Sequence, residues 1–357
     1  MIDRDALERH FPHRPGGYFD QAAVGTAPHE VSVAVAGVAE ALSRGTQGSA
    51  AWHELTDRAL ELLSIDLGVD AERLIVLGNT SEAINAAARA IRFEPGQCVL
   101  TFSDDFPSPR LPWTTLAEVA VREIAPGDGD ERTDVLIDAI DESTRVVSVT
   151  HVHASTGTVV DLERVAEACH QVGALLVVDG AQSAGVLAGS ARHADVYVGA
   201  SYKWLLAGFG AAVVATSVRF DAEALPRLRG YMNLPPSPRL AVGHSNLYGL
   251  AALQASAEVR HEIGLSEMRA HTRAVVAALS DGITSLGYTT ASAHAGAGIL
   301  SVDIRDGEAL AAELRERGLS TALRGGRLRL SPSFTTTDRD VERLLDALDT
   351  LAPAHRA

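Results

Sequence analysis

The chain has 357 residues, 46% of them hydrophobic and 22% charged, the composition of a globular protein with a large core and length for two domains. A net charge of −15 leaves no basic excess to neutralise phosphates, which argues against nucleic-acid binding. No apolar run approaches the ~18 residues of a membrane span, and the charged, amphipathic N-terminus is not a signal peptide. A cytoplasmic protein without membrane partners is therefore expected. Cys98 and Cys169 both lie in apolar stretches and read as buried thiols, not as a disulfide.

In chain order, residues 3–11 predict a short helix. Tyr18-Phe19-Asp20-Gln21 then leads into a small-residue loop from Ala22 to Pro28. Residues 29–44 and 52–66 carry helical apolar spacing. Leu74–Leu77 predicts a buried strand ending in Gly78-Asn79-Thr80-Ser81-Glu82, and the alanine-rich segment after it is helical. Further strands are predicted at Cys98–Phe102, Val146–Thr150, Ala174–Val178, Val196–Val198 and Ala211–Ala215. Helical stretches at 134–140 and 161–172 fall between several of them. That alternation predicts an α/β fold with a mostly parallel sheet covered on both faces. From Asn246 to about Leu286 the pattern is one long helix. A strand at Ile299–Asp303, a helix near 307–317, a strand at Arg327–Leu330 and a helix from Thr337 to Leu351 complete a small α+β unit. The expected organisation is an N-terminal helical segment over 1–15, a large α/β domain over 16–245, and a linking helix with a small C-terminal domain over 246–357. Pro235-Pro236-Ser237-Pro238 marks a loop ahead of the last.

The chemistry concentrates on Lys203, in Ser201-Tyr202-Lys203-Trp204, directly after an apolar strand. The preceding strand ends in Asp179-Gly180-Ala181-Gln182. A lone lysine is usually a solvated surface group, but this one sits between a small-residue apolar stretch and Trp204-Leu205-Leu206. A lysine and an acid at the ends of successive buried strands are what pyridoxal 5′-phosphate (PLP) needs. The amine forms a Schiff base with the cofactor aldehyde, and the acid keeps the pyridine nitrogen protonated, so that the ring accepts electrons from the substrate Cα. Ligands of such sheets gather at the carboxyl ends of strands, and the other candidates fall there too. Thr80 and Ser81 open a helix whose free amides suit a phosphate, or are part of a plain N-cap. Phe106 either stacks on a flat cofactor or belongs to the core. Gln182 is either a donor to the ring hydroxyl or a turn residue. His151 and His153 share a strand face at a metal-ligand spacing. No third ligand is evident, so no metal is expected, and His153 is favoured to face the cofactor. Arg329 suits an amino-acid carboxylate, with Arg324 and Arg327 competing. His244, in Gly243-His244-Ser245-Asn246, either caps the following helix or reaches a phosphate, that of a neighbouring subunit included. The pocket is expected to be lined by loops near Ala22–Thr26, Trp52-His53, Phe106–Trp113 and Tyr231–Pro236.

Together these motifs resemble the class V aminotransferase-like group of fold-type I PLP-dependent enzymes, over nearly the whole chain from Tyr18 to Leu351. That group includes cysteine desulfurases, selenocysteine lyases, kynureninases, isopenicillin-N-epimerase-like proteins and C–S lyases. The resemblance rests on Asp179-Gly180-Ala181-Gln182 and Ser201-Tyr202-Lys203-Trp204. It is supported by Asn79-Thr80-Ser81-Glu82, Phe106-Pro107-Ser108, Gly243-His244-Ser245-Asn246 and Arg329-Leu330-Ser331-Pro332. It implies that Lys203 is the Schiff-base lysine, that Asp179 pairs with the pyridine nitrogen and that Gln182 contacts the ring oxygen. It further implies that Thr80, Ser81 and Ser201 hold the phosphate, that Phe106 stacks on the ring and that Arg329 binds the substrate carboxylate. A homodimer is implied, each site completed by the partner's Gly243-His244 loop. Two departures count. Cysteine desulfurases carry a nucleophilic cysteine on a loop before the arginine, and no cysteine follows Cys169 here. Relatives place Asn or Tyr where this chain has His153-Ala154-Ser155. The expected reaction is a cysteine-type C–S lyase β-elimination, with transamination or epimerisation of an amino acid as alternatives. A non-catalytic α/β nucleotide-binding protein is disfavoured, since no G-x-G-x-x-G follows the first strands.

Overall fold

The structure is a computed structural model describing residues 4–48, 50–117, 119–127, 131–225, 227–233, 240–291 and 297–355. The first half runs α1 (Arg4–His10), α2 (His29–Ser43), α3 (Ala50–Leu67), β1 (Leu74–Leu77), α4 (Thr80–Ala90), β2 (Cys98–Phe102), α5 (Pro107–Thr114), β3 (Ala120–Ile124), α6 (Arg132–Asp138), β4 (Thr144–Thr150), α7 (Leu162–Val172) and β5 (Leu175–Asp179). It continues with β6 (Val196–Ala200), β7 (Ala212–Thr216), α8 (Val218–Glu223), α9 (Leu247–Ile263), α10 (Leu265–Ser285), β8 (Leu300–Val302), α11 (Gly307–Glu316), β9 (Ala322–Arg324), β10 (Arg327–Leu330) and α12 (Asp338–His355). The Pro235–Pro238 loop lies outside the described residues.

The large sheet has seven strands in the order β1-β7-β6-β5-β4-β2-β3. β2 to β6 pair in parallel, and β7 runs antiparallel to both β6 and β1. The central strands are apolar on both faces because helices cover both. Val147 and Val149 of β4 and Leu176 and Val178 of β5 pack into one core with α3, α7 and α9. Their neighbours Val146, Leu175 and Val177 pack into a second core with α4 and Trp113 of α5. Burying each such side chain stabilises the fold by roughly 1.5–3 kcal/mol. Parallel pairing also fixes what matters for function. The carboxyl ends of β2, β4, β5 and β6 lie along one edge, so Phe102, Thr150, Asp179 and Ala200 each hand over there to a loop.

A second, three-stranded antiparallel sheet, β8-β10-β9, carries its own core of α10, α11 and α12 side chains. Phe19 is buried in that core. The segment around it bridges to the small sheet, Tyr18 to Ser320 and Asp20 to Ser331. The N-terminal loop is thereby tied to the unit that carries Arg329.

Beyond the unexpected α8 and β9, three differences from the sequence expectation have a clear local cause. The long helix after Asn246 is two, because Gly264 at φ 99° ends α9 and starts α10, a conformation that suits glycine. β3 is a strand despite charged residues at Arg122 and Glu123, since it is an edge strand with a partly exposed face. α5 forms in spite of Pro107, Pro109 and Pro112. Pro107 stands at the first helical position, where a missing N–H costs nothing.

Gly264 also sets α10 so that Arg269 joins Arg260 of α9 on the carboxylate of Asp66 in α3. Asp66 and Arg260 are almost wholly buried. Removing one member of such a group leaves uncompensated buried charge, at about 3–5 kcal/mol. Asp66→Ala is therefore expected to destabilise the protein by that much in urea unfolding. Glu61→Ala, which breaks an exposed pair with Arg58, should change stability by less than about 0.5 kcal/mol.

Candidate active site

Lys203 stands just past β6, in a turn held by its main chain. Gly25 N–H donates to Tyr202 O at 2.7 Å, Gln21 Nε2 to Lys203 O at 3.0 Å, and Ala207 N–H to Ser201 O at 2.9 Å. Leu206 closes the turn at φ 56°, a left-handed conformation that is costly for a branched side chain. The lysine is only 9% exposed, and burial pushes its amine down from 10.5 to about 8, against the opposing pull of Asp179. Asp179 ends the neighbouring strand and is buried, which pushes its carboxyl up; the Ala181 N–H and the Lys203 charge oppose that rise. One oxygen, Oδ1, accepts Ala181 N–H at 2.9 Å. An acid and an amine are thus brought together at the carboxyl edge of the sheet, each destabilised as an ion by desolvation and each helped by the other.

The remaining candidates gather around this pair to different degrees. Phe106 leads into α5, 52% exposed, with no ring stacked on it among the described residues. His153 is buried, its ring hydrogen-bonded to Thr156 Oγ1 at 2.9 Å and to Asp104 O at 3.3 Å. The pairing of His151 with His153 on one face does not occur. β4 ends at Thr150, so strand alternation does not run through them. His151 turns instead toward Asp161 and His193, and burial lowers its imidazole to about 4. Asp104, Asp105 and His153 come within metal-ligand reach of one another. Both carboxylates, however, are already taken by Arg132, at 2.9 and 3.1 Å to Asp104 and 2.6 Å to Asp105.

Gln182 donates to Ala22 O at 3.0 Å and accepts from Trp204 Nε1 at 2.9 Å, leaving one amide N–H uncommitted. The Ser201 hydroxyl is fully buried and points at Gly208 O and Ala211 O, 2.6 Å from each. Its single proton therefore serves the turn. At the start of α4 the cap is Asn79, whose side chain accepts Glu82 N–H at 2.9 Å. Thr80 and Ser81 follow it, and Ser81 Oγ lies 3.0 Å from Ser108 Oγ. His244 is exposed, edge-on to Tyr231 at 5.4 Å, and lines with Gly78 and Ser81 a cavity of about 620 Å³. The side chains of Trp52, His53 and residues 234–236 lie outside those described.

The three competing arginines separate cleanly. Arg327 is neutralised by Asp303 at 2.6 Å. Arg324 is exposed and forms no ion pair among the described residues. Arg329 is buried, donating to Asp20 Oδ1 and Ala154 O at 2.9 Å each, with its Nε unpartnered. The charges of Arg329 and Arg324 both act on Lys203.

Sequence reasoning missed Arg132, Asp105, Asp20 and Tyr202. The first two meet across 27 residues of sequence, and Asp20 meets Arg329 across 309, separations that no local motif reports. Tyr202, stacked on Phe209 at 4.4 Å and lying 5.5 Å from Lys203 Nζ, could have been inferred from its place beside the lysine.

A lysine and an acid at the ends of adjacent strands, beneath a small antiparallel domain carrying an arginine, define this as an α/β protein of fold type I. The sequence profile of the class-V aminotransferases matches residues 17–341, and the chain belongs to that family. It is 28% identical over 324 residues to a probable cysteine desulfurase of Methanothermobacter thermautotrophicus, covering 80% of this chain and 81% of that one. It is also 28% identical to the isopenicillin N epimerase of Streptomyces clavuligerus, covering 82% and 84%. Among solved structures, a cystine C–S lyase in complex with cysteine persulfide superposes with a TM-score of 0.86 at 19% identity, over 95% of this chain and 99% of that one.

The turn is intolerant of added volume. A Cβ at Gly25 would lie 1.9 Å from Lys203 O and 2.6 Å from Gln21 Nε2. Gly25→Ala is expected to cost about 1–3 kcal/mol or more by overpacking, seen as a lowered melting temperature. Gly37→Ala, whose Cβ would meet nothing within 4 Å, should not lower it.

Proposed function

We propose that the protein is a PLP-dependent enzyme that breaks a C–S bond by β-elimination from a sulfur-containing amino acid. The observation that carries this reading is the buried Lys203 amine beside the buried Asp179 carboxyl. The residues present fit the cofactor. An uncommitted aromatic face at Phe106, the free helix end at Thr80 and Ser81, and a buried, unpartnered Arg329 Nε supply a stacking surface, phosphate donors and a cation for a carboxylate. PLP, when bound, supplies an electron sink for the charge left at the substrate Cα.

Every other role belongs to the chain. Lys203 is the covalent anchor for the cofactor aldehyde. Its lowered pKa keeps a sizeable neutral fraction near neutrality, and neutral amine is the nucleophile. Once displaced by the substrate amine, Nζ is placed to take the substrate Cα proton. Asp179 needs a cation to stay ionised in its buried setting, and a protonated pyridine nitrogen is one. Arg329 orients the substrate by its carboxylate, and Asp20 holds the guanidinium in place. His153, backed by Asp104, borders the ring beside Phe106. The partner subunit's Gly243-His244 loop completes the site in a homodimer, a reading supported by the exposure of His244, Tyr231 and Met232. Two buried free thiols suit a reducing, cytoplasmic setting.

Elimination is favoured over transfer of sulfur to the protein. Cys98 begins β2, at the end of that strand away from the site. Cys169 is buried in α7, its thiol pushed up to about 12 by burial, where it is protonated and inert. The segment before Arg329 is a hairpin closed by Gly325 and Gly326, both at positive φ, which leaves no loop to carry a third.

A visible absorption spectrum with PLP, before and after L-cysteine or L-cystine, tests this. A band that shifts with the sulfur amino acid, with release of pyruvate and sulfide or persulfide, is expected. A band that bleaches and returns only with a keto acid makes it an aminotransferase, and racemised substrate makes it an epimerase. Lys203→Ala should abolish the Lys-linked band; a protein that stays yellow overturns the assignment of that lysine. Capture of PLP by cofactor-free protein should accelerate as pH rises through about 8, where the amine loses its proton, and level off above. A rate flat across that range contradicts the role given to the buried amine.

A further inference from the structure

We propose that Asp105 is a positioning residue for the cofactor, the point at which Phe106, His153 and the strand end bearing Asp179 are locked into one register. The proposal rests on the PLP reading of Lys203 and Asp179.

Asp105 follows β2 and is buried, its side chain fully enclosed. Three donors converge on its carboxylate. Arg132 Nη2 donates to Oδ1 at 2.6 Å, Thr150 Oγ1 to Oδ1 at 2.6 Å, and Thr150 N–H to Oδ2 at 3.0 Å. Such charge-assisted bonds are the strong ones in a low-dielectric interior. Thr150 and the residues flanking Asp105 carry that anchor to three parts of the site. Thr150 is the cross-strand neighbour of Asp179 in the β4–β5 ladder, and the next residue, His151, donates its N–H to Asp179 O at 3.0 Å. Phe106 is the next residue after Asp105, so the carboxylate fixes the backbone that presents the ring. His153 is hydrogen-bonded to the carbonyl of Asp104, one residue before.

Arg132 reaches this point from α6, a helix that carries no other candidate residue. Its guanidinium lies 3.8 Å from the centroid of the Phe102 ring, and its Nη1 binds both oxygens of Asp104. A buried arginine forked between two successive carboxylates, seated on an aromatic face, can hold the loop in one geometry only. A lysine's point charge would not reproduce the fork. The charged groups facing Asp105 are Arg132 from α6, Asp104 in its own loop and His153 beyond β4; Asp179 lies at the end of β5, and Arg110 of α5 donates to the Asp105 carbonyl at 3.4 Å. Burial pushes the Asp105 carboxyl up, and the Arg132 charge, the two Thr150 donors and His153 oppose that rise; held ionised by them, it acts on Asp179, whose carboxyl it raises. The loop is thus both a brace and a fixed charge.

Asp105→Asn keeps the shape and removes the charge. In the PLP-loaded full chain, the expected result is PLP affinity weakened by about tenfold or more, from the loss of charge-assisted bonds. The pH midpoint of the cofactor's visible band should also move downward, because a negative charge that favours the protonated form is gone. A loosened loop with no electrostatic role would weaken binding without moving the midpoint, and that result overturns the fixed-charge role. Wild-type affinity together with an unmoved midpoint, in a variant whose circular dichroism is native, overturns the proposal outright. Should Asp105→Asn fail to fold, Thr150→Val removes only one hydroxyl donor. A smaller loss of affinity is expected there, and unchanged affinity again overturns the proposal. Lys203→Ala tests the underlying reading separately, since it abolishes the band whatever Asp105 does.

Discussion

Everything in this molecule turns on keeping a lysine and an aspartate buried together without letting them settle into an inert ion pair. Desolvation drives Lys203 toward the neutral amine and Asp179 toward the neutral acid, while their mutual attraction drives both back. Desolvation is the larger force on each and the attraction limits it, leaving the amine at about 8, which is what the role proposed for it requires. A fully exposed lysine would stay almost wholly protonated at neutral pH, its ordinary pKa lying near 10.4. A tightly paired one would be tied up by its partner. The fold holds the balance by fixing the main chain and leaving the side chains unbraced. Gln21, Gly25 and Ala207 all bind backbone atoms of the Lys203 turn, and the Asp179 carboxylate accepts from the backbone amide of Ala181.

The architecture supplies the rest by convergence. A parallel sheet delivers four strand ends to one edge, so residues far apart in sequence arrive together with no long-range motif. The small sheet adds Arg329 from the other side, and the loop at Asp20-Gln21-Ala22 joins the two. Asp20 holds Arg329, Gln21 holds the Lys203 carbonyl, and the Ala22 carbonyl accepts from Gln182. Three successive residues of one N-terminal loop therefore touch Arg329, the Lys203 turn and the turn that follows Asp179. A shift of the small domain would be felt at all of them.

How much of this could be read from the sequence follows from how local each signal is. The central strands were legible because both faces are buried, which leaves continuous Val and Leu runs at 146–150 and 174–178. Lys203 and Asp179 were legible because each directly follows such a run. α5 was hidden by three prolines in eight residues, and β3 by the charges of an edge strand. The break at Gly264 was invisible because glycine within a helical pattern is ambiguous between a tolerated residue and a cap. The phosphate role implied for Ser201 by resemblance looks different in three dimensions. Its hydroxyl bonds the turn's own carbonyls, and only the folded geometry reports that.

The choice among reactions depends on what surrounds Cα and Cβ after the proton leaves, and here the chain differs from a sulfur-transferring enzyme in a specific way. A protein that accepts sulfur needs a thiolate able to reach Cβ and then withdraw, which demands a cysteine on a mobile segment. The β9–β10 hairpin closes through two glycines in left-handed conformations, the geometry of a tight two-residue turn, and it holds Arg329 in register with Ser301 and Ala322. Rigidity at this point suits the carboxylate role proposed for Arg329 and leaves no mobile segment there for a nucleophile. Both thiols are sequestered in the core, so an elimination of the kind proposed would release its sulfur as a free product. The same hairpin carries Arg324, exposed and without an ion pair among the described residues, whose charge acts on Lys203. A rigid hairpin at this place, and not only the residues around Lys203, therefore bears on which reaction the proposed site can perform.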